Sequence, residues 1–110
     1  MNVRKVIRQE LVRIQKDQER YSQGRSLDYK YRYWSTSGKV DVLKRLLTIR
    51  KIKHKDVEDL KQTIQDQYEK IRKVPKAERN IYQTFDGIYL EGKLDVLNNW
   101  VIPTVFRQKT

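Results

Sequence analysis

Gly38-Lys39-Val40-Asp41-Val42-Leu43 and Gly92-Lys93-Leu94-Asp95-Val96-Leu97 agree at five of six positions, and the sixth exchanges Val40 for Leu94. The stretches lie 54 residues apart, and at this offset the surrounding apolar positions also correspond: Leu27 with Ile81, Tyr31 with Phe85, Trp34 with Ile88, Leu46 with Trp100. Leu27, Tyr31, Trp34, Gly38, Val42, Leu46 and Ile49 step by three or four, and so do Ile81, Phe85, Ile88, Gly92, Val96 and Trp100. These steps keep one face of a 3.6-residue helix turned inward. A fixed offset that preserves both identity and apolar spacing marks an internal repeat.

The segment before each copy is periodic too. Ile7, Leu11, Ile14 and Tyr21 form one stripe, interrupted by the polar Gln18; Val57, Leu60, Ile64, Tyr68, Ile71 and Val74 form the other. Each half therefore reads as a helix, a turn and a second helix. The expected fold is all-α, an antiparallel four-helix arrangement of two duplicated helical hairpins. It forms a single domain, 1–110, with repeat one at 1–53 and repeat two at 54–110. Gly24 suits a left-handed position after the first helix, and Ser26 and Asp56 suit the caps of the second and third. Pro75 fits the first turn of the fourth helix and Pro103 its end. The alternative is α+β, with short β-hairpins at 27–43 and 80–91, because Tyr29, Tyr31 and Tyr33 alternate with Lys30 and Arg32 and because Asp86-Gly87 is a hairpin dipeptide.

Gly38 and Gly92 fall on the inward stripes, where a missing side chain lets helices approach. The second and fourth helices are expected to cross there about a pseudo-twofold axis, with Tyr31 and Trp34 in the core. Asp41 is expected to pair with Arg45, and Asp95 with Asn99 or a neighbouring helix. The spacing Trp34…Gly38…Asp41…Leu43, repeated as Ile88…Gly92…Asp95…Leu97, is similar to patterns in small helical proteins of phages and mobile elements, and identifies no family.

The chain is 35% charged with a net charge of +11, unevenly spread. Residues 1–55 hold 16 basic and 5 acidic residues, and residues 56–110 hold nine of each. Such asymmetry points to a polyanion-binding face. Lys44, Arg45, Arg50, Lys51, Lys53 and Lys55 form an acid-free run that includes His54, and antiparallel hairpins would bring Arg4, Lys5 and Arg8 to the same end. Arg25, Lys30, Arg32 and Lys39 with Tyr29 and Tyr33 form a second group, in which aromatic rings lie among cations. Lys70, Arg72, Lys73, Lys76 and Arg79 read as a solvated helix end.

The absence of cysteine excludes disulfides and thiolate metal sites. With one His and no Cys there is no Cys–His pair, and Thr36-Ser37-Gly38-Lys39 lacks the upstream Gly and the following Ser/Thr of a phosphate loop. No apolar run approaches a membrane span of about 20 residues. The expectation is a cytoplasmic, non-enzymatic protein without cofactor or metal. It would bind DNA or RNA through the phosphate backbone and would be encoded by a phage or mobile element. Two alternatives stand beside it. One is an inhibitor of a host nucleic-acid-handling complex, such as a phage anti-CRISPR protein docking on an acidic protein surface. The other is a module that forms a homodimer through the neutral hairpin.

Overall fold

The computed structural model describes residues 2–106. Four long helices dominate: α1 (Val3–Ser22), α2 (Leu27–Leu47), α3 (His54–Arg72) and α4 (Ile81–Val96). A 3-10 turn, Lys76–Glu78, precedes α4, and a π-helical turn, Leu97–Val101, leads from it into a short helix α5, Ile102–Val105. The all-α expectation holds. No strand occurs among the described residues, which corrects the hairpin alternative at 27–43 and 80–91. The tyrosine alternation is overruled by a cap, since Ser26 Oγ accepts the Tyr29 N–H at 3.2 Å and starts a helix through the alternating segment. No helix among the described residues is long and apolar enough to cross a membrane.

Several helix boundaries differ from the sequence reading. Gly24 does not adopt a positive φ. It is needed for space instead, because a Cβ there would run into the Tyr29 ring. Asp56 is not the cap of α3: Lys53 holds that position, and Asp56, three residues on, reaches back to accept the Lys53 N–H at 2.9 Å. α4 starts not at Pro75 but at Ile81, where Asn80 and Gln83 bond each other's backbone N–H at 2.8 and 3.0 Å. Pro103 does not end α4 either; it stands in the first turn of α5. The Ile102 N–H bonds to the Leu97 carbonyl five residues back. This wider turn relieves the clash a proline ring makes with an α-helical carbonyl four residues earlier.

α2 and α4 are the central pair, with α1 packed on α2 and α3 on α4. Their contact is set by the two glycines. A Cβ on Gly38 would overlap the Tyr89 carbonyl oxygen and stand 3.1 Å from the Lys93 nitrogen. A Cβ on Gly92 would overlap the Ser35 oxygen and stand 2.8 Å from its carbonyl carbon. The 54-residue offset turns 38 into 92 and 35 into 89, so it exchanges these contacts. Such reciprocity is the signature of a twofold relation between α2 and α4. Around the crossing, Ile7, Val40, Val42, Leu43, Leu46, Val57, Leu97 and Val101 are fully buried, each large aliphatic contributing about 2 kcal/mol by leaving water. Gln18, which interrupts the α1 stripe, donates to Ser37 Oγ of α2 at 3.1 Å, so a polar pair fills that step of the interface.

The outer ends of both central stripes are not core. Leu27 is 58% exposed, Tyr31 38%, Trp34 37% and Ile81 61%. Periodicity orients a stripe but does not say how far two helices stay in close contact, and here the stripes run past the crossing. Tyr31 and Trp34, expected in the core, pack instead on Phe85 of α4 at ring separations of 6.1 and 5.7 Å.

Candidate functional site

The twelve sequence-derived site residues fall into two groups at opposite ends of α2 and one residue between. Lys44 and Arg45 lie in the last turn of α2, Arg50, Lys51 and Lys53 in the connection, and Lys55 in the first turn of α3. All six are exposed. The guanidinium of Arg4 donates to the Ile49 carbonyl at 2.5 Å, which fixes the start of α1 against this connection. Lys5 and Arg8 therefore join the same end, as the hairpin topology requires. Among the described residues none of these nine cations is held in an ion pair.

Helix stability accounts for only part of this concentration. Lys44 and Arg45 favour the negative end of the α2 dipole. Lys53 and Lys55 do the reverse, standing at the positive end of α3, where a cation costs stability that Asp56 offsets in part. His54 of this segment is engaged within the protein: it stacks on Phe106 at 5.5 Å and approaches Glu58 at 3.1 Å, holding the start of α3 to the end of α5.

The other group starts about 20 Å away along the α2 axis, the rise from Lys44 back to Lys30. Arg25 and Lys30 are exposed there. Arg32 is engaged, paired with Asp28 at 2.9 Å and aimed at the ring and hydroxyl of Tyr21. Tyr29 lies edge-on to Tyr21, and Tyr33 edge-on to Trp34. The Arg32 and Arg20 guanidinium groups bond the Tyr21 hydroxyl and hold it below its ordinary value of 10.0. This end is a folded aromatic–cation cluster more than an open comb of charges. Lys39, between the groups, is half-buried and paired with Asp95 of α4 at 3.2 Å.

A row runs along α1 between the two ends, and the sequence reading named only its first members, Lys5 and Arg8. On α1, Lys5, Arg8, Lys16 and Arg20 are all exposed and are separated by three, eight and four residues, which places them along one side of the helix. The row spans about 22 Å. Arg20 lies over the Tyr21 ring at 4.9 Å, and so ends at the aromatic cluster. The only signal in the sequence was the polar face opposite Ile7, Leu11 and Ile14, which any surface helix shows.

A polar cleft of about 190 Å³ lies between α1, α2 and the end of α4. Its charges are mutually satisfied. Glu10, buried, accepts from Arg13 at 2.6 and 3.0 Å, and this pairing raises the Arg13 pKa. Asp95 accepts from Asn99 at 2.6 Å besides pairing with Lys39, as expected of it. Asp41 differs: it accepts the Tyr89 hydroxyl from α4 and not a bond from Arg45. Among the described residues no cluster of His, Asp or Glu has the geometry to hold a metal. Comparison of the chain with protein families, curated proteins and solved structures finds no match.

Proposed function

We propose that the protein binds nucleic acid through its phosphate backbone, at the end where α1 begins and α2 passes into α3. What carries this reading is the convergence of nine cations from three chain segments, tied together by the bond from Arg4 to Ile49 and without ion-pair partners among the described residues. Phosphates bound by such a cluster release condensed counterions, and that entropy drives binding without base readout. Lys53 and Lys55 strengthen the reading, since they oppose the α3 dipole and a bound anion would reverse that cost. The Lys5, Arg8, Lys16, Arg20 row offers the backbone a continuation along α1.

The test is a mobility-shift titration with DNA and RNA duplexes and single strands, comparing the wild type with the triple variant Arg50→Glu, Lys51→Glu, Lys53→Glu. All three positions are exposed, so helicity should survive. Binding that vanishes in the folded variant supports the proposal. Equal binding by both proteins rules it out. A wild type that ignores bare nucleic acid yet forms a stable complex with a host nucleic-acid-handling enzyme would favour the inhibitor alternative.

A further inference from the structure

Past the glycine crossing, the amino-terminal arms of α2 and α4 carry their apolar stripes out to solvent. Leu27 and Ile81 are the most open aliphatic members, Tyr31 and Trp34 pack beside them on Phe85, and Tyr82 is 77% exposed. Exposed apolar side chains on the facing arms of two helices, linked through the Tyr31, Trp34 and Phe85 rings, mark an interaction surface on a small protein.

We propose that this patch is a homodimer interface, in which it receives the same patch of a second copy. A twofold contact demands a self-complementary surface, since each copy presents the same residues. This patch meets that demand in two ways. It is built from matched positions of two related helices, Leu27 with Ile81 and Tyr31 with Phe85. It also carries opposite charges on its two arms: Lys30 on α2 and Asp86 on α4, both exposed and neither ion-paired among the described residues. A copy turned about a twofold axis offers its Asp86 to Lys30 and its Lys30 to Asp86, making two equivalent pairs. Bases could stack on Tyr31, Trp34 and Tyr82, but the aliphatic Leu27 and Ile81 favour an apolar partner and Asp86 repels phosphate. The patch lies at the other end of α2 from Lys44, Arg50 and Lys53, so a dimer formed here keeps both cationic ends free. The interface stands independently of the nucleic-acid reading.

Sedimentation equilibrium over a range of protein concentrations tests this, in about 0.3 M salt so that repulsion between two chains of charge +11 is screened. The wild type should approach twice the 13.4 kDa chain mass. The double variant Leu27→Lys, Ile81→Lys should remain monomeric with unchanged helicity, since both positions already face water. Lys30→Glu alone and Asp86→Lys alone should each weaken the dimer about fivefold, the scale of an exposed ion pair, and the combined swap should restore it. A wild type that stays at monomer mass throughout overturns the proposal, even if the patch captures some other protein. So does a dimer that survives the Leu27→Lys, Ile81→Lys substitutions.

Discussion

Tyr89 of α4 donates its hydroxyl to Asp41 of α2, whereas the position matched to Tyr89 on α2 is Ser35, too short to reach Asp95. That one difference breaks the equivalence of the two sides of the crossing. Asp95, left without a tyrosine, pairs with Lys39 and Asn99. Lys93, the counterpart of Lys39, lies instead over the Tyr89 ring at 4.6 Å, and burial holds its pKa below the ordinary value while Asp41 acts in the opposite sense.

The Tyr89 bond makes stability depend on alkaline pH. Burial first, and then the Asp41 carboxylate, raise the Tyr89 pKa above its ordinary value of 10.0. The folded chain thus holds this proton more tightly than the unfolded chain. The stabilisation is whole below about pH 10 and is lost as pH rises through the folded value. Tyr68 shifts the same way, chiefly through its bond to Glu91, and Tyr21 shifts down beside Arg32 and Arg20. Spectrophotometric titration of the tyrosines should show Tyr21 ionising early and Tyr89 and Tyr68 late, with Tyr89→Phe removing a late step. Seven tyrosines titrating as one uniform class would refute this assignment.

Gly38→Leu should be among the most damaging single changes in the protein. The side chain would meet backbone atoms of Tyr89 and Lys93, which cannot rotate aside, so α2 and α4 must separate. We expect a loss of about 3 kcal/mol or failure to fold, read by urea denaturation. An unchanged midpoint would mean that the helices do not cross at this residue.

Gly87→Ala should do the opposite. Gly87 lies inside α4, and a Cβ there meets only the Ile71 Cγ2 atom at 3.7 Å, an ordinary contact. The change should gain up to about 1 kcal/mol of helix propensity, raising the melting temperature by about 4 °C. A lower melting temperature would show that the position is more crowded than this.

Lys39, grouped by sequence with the polyanion-binding residues, should prove dispensable for binding. Its ammonium is committed to Asp95 across the α2–α4 contact. Lys39→Gln should change nucleic-acid affinity less than twofold and stability by about 0.5 kcal/mol or less, as partly exposed pairs do. A tenfold fall in affinity would return Lys39 to the site.

Much of this architecture is legible in the sequence because it rests on local rules. The three-four spacing gives the helices, Ser26 gives the α2 cap, and the matched Gly38 and Gly92 give the crossing. The shared end of Arg4 and the Arg50–Lys53 run follows from hairpin topology alone. What escapes is set by distance in space. Leu27 and Trp34 carry a buried helix pattern, yet they lie beyond the close contact at Gly38, where α4 no longer encloses them. The partner of Asp41 lies 48 residues away in sequence, beyond any i,i+4 rule. Pro75 and Pro103 are compatible with several turn geometries, and the neighbouring Asn80 and the π turn decide between them. Lys16 and Arg20 of α1 look in the sequence like part of an ordinary solvated face, and only the contact of Arg20 with Tyr21 ties them to the aromatic cluster.

The most direct test of the cationic end is the salt dependence of nucleic-acid affinity. If about six of its nine cations contact phosphates, the logarithm of the association constant should fall against the logarithm of salt concentration with a slope near −5, and Lys51→Gln with Lys53→Gln should reduce that slope by about 2. A slope near zero, or one that these two substitutions leave unchanged, would contradict the account.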